Sequence, residues 1–240
     1  MSIFEHESDI DTILFRQVRP HGVLSMRVEA ALRAVKRVPF LPPANSDVAY
    51  GDAPIVLKRR CEMPFFVLAR VLEGLAIQHH ERACVISAGA GYSATLISRL
   101  CNHVEAFESD SVLFVRLIDA TRDNASLSPV SSLSPDLVDV IFMDGGSISV
   151  ITHAVMDKLT IGGRLAVVQI CADSAGRKRG LSAIHVPLCQ LIIYEMQEVP
   201  AYDENGQMYL KRTLVPIKKM MDLHMPELNT LTRQNESFHF

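Results

Sequence analysis

Val85-Ile86-Ser87-Ala88-Gly89-Ala90-Gly91-Tyr92-Ser93, followed by Val104-Glu105-Ala106-Phe107-Glu108, is the stretch whose reading decides the fold of this chain. It reads as a buried strand, a glycine-rich turn, a helix, a second strand and then an acid. Glycines let the backbone pass close to a ligand, and the helix start offers free N–H groups. A carboxylate at the tip of the second strand can accept hydrogen bonds from both hydroxyls of a ribose. The arrangement therefore suits a nucleoside, and the candidate binding residues are Ser87, Ala88, Gly89, Gly91, Tyr92, Glu108 and Ser109.

Working outward, the pattern alternates. Val138–Met143 is an apolar strand ending in Asp144-Gly145-Gly146, which places an acid and bare backbone beside the same cleft, so Asp144 and Gly145 join the candidates. Helices are expected over Ala94–Leu100, Ser111–Thr121 and Ser149–Leu159, and further strands over Val104–Phe107 and Arg164–Ile170. Apolar strands separated by helices imply a parallel sheet covered on both faces. Before this core, Val28, Ala31, Leu32 and Val35 have helical spacing, Pro39, Pro42 and Pro43 open a loop, and a second helix starts at Pro64. The stretch from Ala125 to Asp136 holds Pro129 and Pro135, too broken for a clear third strand, although Val130 could pair briefly. Leu191–Tyr194 and Met208–Leu214 read as antiparallel strands about Asp203-Glu204-Asn205-Gly206, and Ala172–Gly180 as a basic loop. One domain is expected, with an accessory segment over 1–62, a core over 63–215 and a tail over 216–240.

Composition narrows the functional classes. A chain of 240 residues with 48% hydrophobic and 21% charged residues is long enough for one large α/β core. A net charge of -3 gives no general reason to bind nucleic acid or an anionic membrane. The acidic start is not a secretory signal, and no apolar run is long enough to span a bilayer. Five dispersed cysteines suggest reduced thiols in a cytoplasm, and nine histidines without ligand spacing give no metal site.

Two cofactor readings compete. Gly89-x-Gly91-x-x-Ala94, with Glu108 nineteen residues after Gly89, formally matches a dinucleotide fingerprint, although a lone match is unspecific. S-adenosylmethionine sits on a similar turn. The late position of the turn, the Asp144-Gly145-Gly146 strand end, and the helix–Gly162-Gly163–strand passage at Leu159–Leu165 favour the methyl donor.

Four stretches then carry a resemblance: Gln17-Val18-Arg19-Pro20-His21-Gly22-Val23; Val38-Pro39-Phe40-Leu41-Pro42 with Ala49-Tyr50; Met63-Pro64-Phe65-Phe66-Val67-Leu68-Ala69; and the motifs from Val85 to Val168. On these residues the chain resembles the protein-L-isoaspartate O-methyltransferase family, in a divergent bacterial branch. The resemblance implies a Rossmann-like methyltransferase fold, mostly parallel, with helices on both faces and an antiparallel C-terminal hairpin. It also implies S-adenosylmethionine as cofactor, S-adenosylhomocysteine as product, and a carboxyl acceptor on a protein or peptide, or a related small-molecule acid. Departures are visible: Val85 and Ser87 stand where the family has an acid and a glycine. Arg60-Cys61-Glu62 replaces its Thr-Ile-Ser segment, so Arg60, Glu62 and Met63 become the candidate substrate pocket.

Methylating a carboxylate needs little machinery. With a reference pKa near ~4 the nucleophile is already ionised at neutral pH. In-line alignment can contribute ~7–11 kcal/mol in favourable cases. No base or nucleophile set is therefore required, and the sequence picks out no catalytic residue. Blander roles compete at each position: Glu108 as a solvated strand-end acid, the glycines as a tight turn only, Tyr92 as packing, and Asp144 as the cap of the next helix. Two alternatives for the whole chain accompany the enzyme reading. One is a binding or regulatory protein with a decayed cofactor site; the other is an NAD-dependent oxidoreductase, which needs a second nucleotide-binding half after residue 145.

Overall fold

The computed structural model describes residues 10–57, 60–171 and 187–225. The basic loop expected at 172–180 and the end of the expected tail lie outside these residues. In chain order the helices are α1 Ile10–Ile13, α2 Met26–Ala34, α3 Phe65–Leu75, α4 Tyr92–Ile97, α5 Ser111–Thr121 and α6 His153–Asp157. The strands are β1 Ile55–Val56, β2 Cys61–Glu62, β3 Arg82–Ile86, β4 His103–Phe107, β5 Leu127–Val130, β6 Val138–Met143, β7 Leu159–Ile170, β8 Leu188–Tyr202 and β9 Met208–His224.

β1 and β2 form a small antiparallel pair, and the others form a seven-stranded sheet in the order β5-β4-β3-β6-β7-β8-β9. The five strands from β5 to β7 are parallel, and β8 and β9 are antiparallel. β3 alternates its side chains between two layers: Ala83 and Val85 pack with α3 residues Leu68 and Leu72, while Cys84 and Ile86 pack with Ile141, Leu165 and Val167. Burial on both faces is why this strand reads as an unbroken apolar run. The chain leaves β3 in one direction to β4 and β5 and returns to its other side at β6. That reversal puts a topological switch point at the carboxyl ends of β3 and β6, where sheets of this kind bind ligands.

The helix ends follow the local chemistry. Pro64 precedes α3 in an extended conformation, and Ala76 closes the helix in the left-handed region at φ 47°. The Asp110 carboxylate accepts from Val112 N and Leu113 N at 3.0 and 3.1 Å, fixing the start of α5. Arg164 on β7 donates to Leu75 O at 2.8 Å and pairs with Glu81, tying the end of α3 to the sheet.

Several boundaries differ from the sequence reading. β5 does form, with Pro129 opposite Ala106. It is an edge strand, where a missing N–H is tolerated. The expected helix over Ser149–Leu159 shrinks to α6, because the chain from Leu159 on is drawn into β7, whose pairing with β6 shifts register between Val138 and Val140. β9 runs on to His224, so residues 216–224, read as tail, are sheet.

Candidate active site

The chain leaves β3 through two left-handed residues, Ser87 at φ 62° and Gly89 at φ 60°, and Gly91 at φ 98° starts α4. Ala88 N donates to Phe107 O at 2.9 Å, which locks this turn against the end of β4. Ser87 carries a Cβ in a conformation that costs an L-residue roughly 1–2 kcal/mol. Ser87→Gly is therefore expected to raise the unfolding free energy by about 0.5 kcal/mol, net of the extra freedom glycine gains in the unfolded chain. Urea melts of the two proteins check this, and a loss of stability would show that the Ser87 side chain contributes more than its strain costs.

Glu108 follows β4 directly and is fully buried, not turned to water. Its Oε2 accepts from Gly89 N at 2.8 Å and its Oε1 from Asp110 N at 2.8 Å. The Arg60 guanidinium meets the same carboxylate as a fork, with Nε 3.2 Å from Oε2 and Nη2 bonded to Oε1. Arg60 Nη2 also lies 3.4 Å from Ser109 Oγ. Four donors thus fill the roughly four acceptor positions of one carboxylate.

Arg60 reaches this point from the β1–β2 turn, closed by Leu57 N donating to Arg60 O at 2.8 Å. Cys61 N donates to Gly145 O at 2.8 Å, fixing the hairpin to the end of β6. A Cβ on Gly145, at φ 81°, would lie 2.8 Å from Arg60 Cδ, so the glycine is what lets the arginine stem pass. Arg60 also borders a cavity of about 610 Å³ reached by Leu57, Asp110, Leu113 and Arg116.

Beside this pair lies a second buried group of charges. Asp144 follows β6, donates its N–H to Ile86 O and accepts from Gly145 N at 2.7 Å. Burial pushes its carboxyl up, opposed by the Ser93 hydroxyl, Gly145 N–H, Arg37 and Arg60. Asp144 does not cap the following helix, since Thr152 holds that position. Glu62 is pushed up to about 7, first by burial and then by the Asp144 charge, with Arg37 opposing. A Cβ on Gly89 would come within 3.3 Å of Glu62 Oε1, so this carboxyl overhangs the glycine turn. Arg37, 1% exposed, donates to Ala49 O and Met63 O and lies 3.6 Å from Glu62. Its guanidinium stands 5.4 Å from the centre of the Tyr92 ring. The Tyr92 hydroxyl is buried with no hydrogen-bond partner among the described residues.

Ser87, Gly89, Gly91, Glu108, Asp144 and Gly145 thus meet at one end of the sheet. Ala88 and Tyr92 are buried in the same turn and helix start, and Ser109 joins through Arg60. The expected substrate pocket at Arg60, Glu62 and Met63 is different from its sequence reading. Arg60 and Glu62 turn inward onto the nucleoside candidates, and Met63 is core, 1% exposed. Arg37 was given no role in the sequence reading; a cation just before the apolar Val38-Pro39-Phe40 run was the available signal. The second parallel half needed for a nicotinamide enzyme has no counterpart among the described residues, since the strands after β7 run antiparallel.

A mostly parallel sheet with the acid after its second strand and a closing antiparallel hairpin defines the Rossmann-like methyltransferase fold. The structure of a putative protein-L-isoaspartate O-methyltransferase from Plasmodium falciparum, in complex with S-adenosyl-L-homocysteine, aligns over 87% of this chain and 94% of its own. The TM-score is 0.57 at 15% identity. A second solved protein-L-isoaspartate O-methyltransferase aligns over 88% of this chain and 64% of its own, with a TM-score of 0.61 at 15% identity. The model of the protein-L-isoaspartate(D-aspartate) O-methyltransferase family matches residues 10–145, and the chain belongs to that family.

Among curated relatives, the protein-L-isoaspartate O-methyltransferase of Rhodopseudomonas palustris is 34% identical over 131 residues, 54% of this chain and 56% of the relative. That of Desulfosudis oleivorans is 29% identical over 194 residues, 73% of this chain and 86% of the relative. The chain spans about half the length of several of the curated relatives it matches.

Proposed function

We propose that this protein is an S-adenosylmethionine-dependent O-methyltransferase acting on a carboxylate of a protein or peptide, isoaspartyl groups being the first acceptor to try. The observation that carries the reading is Glu108: a buried carboxylate after β4, bonded to the N–H of Gly89 in the turn after β3. The donor set suits a nucleoside. A carboxylate for the diol, backbone without side chains at Gly89 and Gly145, and the acid Asp144 all lie at the same end of the sheet. Room for the group requires Arg60 to leave Glu108.

When bound, the cofactor supplies a methyl group activated by its sulfonium. The chain's own contribution is positioning and exclusion of water. Gly89 N and Asp110 N hold the Glu108 carboxylate in place before any ligand arrives. Glu62, which overhangs the Gly89 turn and is pushed up to about 7, keeps its proton at mildly acid pH; Arg37 beside it offsets the charge when the proton is lost. The acceptor itself needs no base, being ionised at neutral pH.

A cytoplasmic setting is part of the proposal. Cys61, Cys84, Cys101 and Cys189 are buried cysteine thiols, Cys171 is partly exposed, and no described helix is long and apolar enough to cross a membrane.

The four-fold occupation of Glu108 favours one other reading, a member of the family that has kept the fold but lost transfer. Incubation with methyl-labelled S-adenosylmethionine and paired isoaspartyl and aspartyl peptides separates the two. Base-labile label on the isoaspartyl peptide alone is the expected result. Binding of S-adenosylhomocysteine without transfer to any carboxyl acceptor would establish the second reading.

A further inference from the structure

We propose that Arg60 is an internal occupant of the nucleoside subsite, standing on Glu108 where the ribose diol would stand, so that the cofactor binds only as this side chain withdraws. The inference rests on the functional reading above. A vicinal diol offers a carboxylate two O–H donors side by side. The edge of a guanidinium offers two parallel N–H donors with a similar fork. Arg60 Nε and Nη2 use that fork on Glu108 Oε2 and Oε1. With Gly89 N and Asp110 N on the same two oxygens, no acceptor position is left for a hydroxyl.

The arginine is delivered rather than stray. Its hairpin is bonded through Cys61 N to Gly145 O, and its stem crosses Gly145 where a Cβ would come within 2.8 Å of Cδ. Its side chain is 1% exposed. An exit exists, because Arg60 borders the cavity of about 610 Å³ that Asp110 and Leu113 also line. Asp110, which caps α5, is an acid within that space. Withdrawal there exchanges one carboxylate partner for another, while Gly89 N and Asp110 N stay on Glu108 for the incoming diol.

The consequence is an affinity reduced by the fraction of molecules in which Arg60 has already left. Calorimetric titration with S-adenosylhomocysteine on the parent, Arg60→Ser and Arg60→Gln measures it. Removing the fork is expected to tighten binding by about tenfold or more in Arg60→Ser, and by less in Arg60→Gln, whose amide keeps a single donor nitrogen. On the parent protein, the slowly exchanging Nε–H resonance of Arg60 is expected to move and to exchange faster with water as ligand is added; this holds whether or not the variants fold well. Equal or weaker binding in the variants, or an Arg60 resonance unchanged at ligand saturation, overturns the proposal while leaving the transferase reading intact. No binding by any of the three proteins overturns both.

Discussion

Glu108→Gln is expected to lose about 3–5 kcal/mol of stability, because it leaves the Arg60 guanidinium buried without a countercharge. For a chain of this length each kcal/mol moves the melting temperature by about 2–4 °C, so the midpoint should fall by roughly 10 °C. The loss is a penalty of separation more than a measure of attraction. Arg60→Met combined with Glu108→Gln removes the stranded charge and leaves an amide oxygen for the Gly89 or Asp110 N–H. The double variant should therefore melt above the single one. A Glu108→Gln midpoint within a degree or two of the parent, with about the same affinity for S-adenosylhomocysteine, would show that this buried acid neither supports the fold nor holds the ligand. The expected change in affinity is a weakening of more than about tenfold, since charge-assisted bonds contribute roughly 1.5–3 kcal/mol each.

A second large effect is one of pH. Glu62 has an ordinary value of 4.5 when solvated and is pushed up to about 7 by burial and by Asp144. Between these values the folded protein holds a proton that the unfolded chain has released. Stability must then fall as pH rises through this window, and the Glu62 contribution is fully present only below about pH 4.5. At most about 3–4 kcal/mol is at stake, from 1.36 kcal/mol per pH unit. The Asp144 carboxyl, also pushed up by burial, adds a slope of the same sign. Glu62→Gln keeps the shape and removes the titration. Urea midpoints measured from pH 4.5 to 7.5 should decline less in the variant than in the parent, and parallel profiles would mean that Glu62 ionises freely in the folded state.

The parts legible in sequence were those written in local periodicity. β3 and β6 are buried on both faces, so they appear as continuous apolar runs ending in the turn at Ser87–Gly91 and in Asp144-Gly145. The Asp110-Ser111-Val112 start of α5 is likewise a local signal. The β8–β9 hairpin was read too short because β8 pairs with β7 only over Cys189–Glu195. Beyond that, Met196–Tyr202 pairs with β9 alone, and Tyr202, Met208, Tyr209 and Leu210 are exposed, so the alternation that one buried face imposes disappears.

The content of the site was less legible for a different reason. Arg60 and Glu108 are 48 residues apart, and no local pattern encodes their pairing. Arg60-Cys61-Glu62 read naturally as a charged rim of an acceptor pocket. The backbone bond from Cys61 to Gly145 brings this segment beside β6, where Arg60 meets Glu108 and Glu62 meets Arg37.

The most direct measurement is a crystal structure of the protein grown with S-adenosylhomocysteine. Density for a nucleoside with its diol on the Glu108 carboxylate, the amino-acid end along Gly89–Gly91 and Arg60 moved away from Glu108 is the expected result. Ligand density elsewhere, with the Arg60–Glu108 fork unbroken, contradicts the assignment of this crevice as the cofactor site.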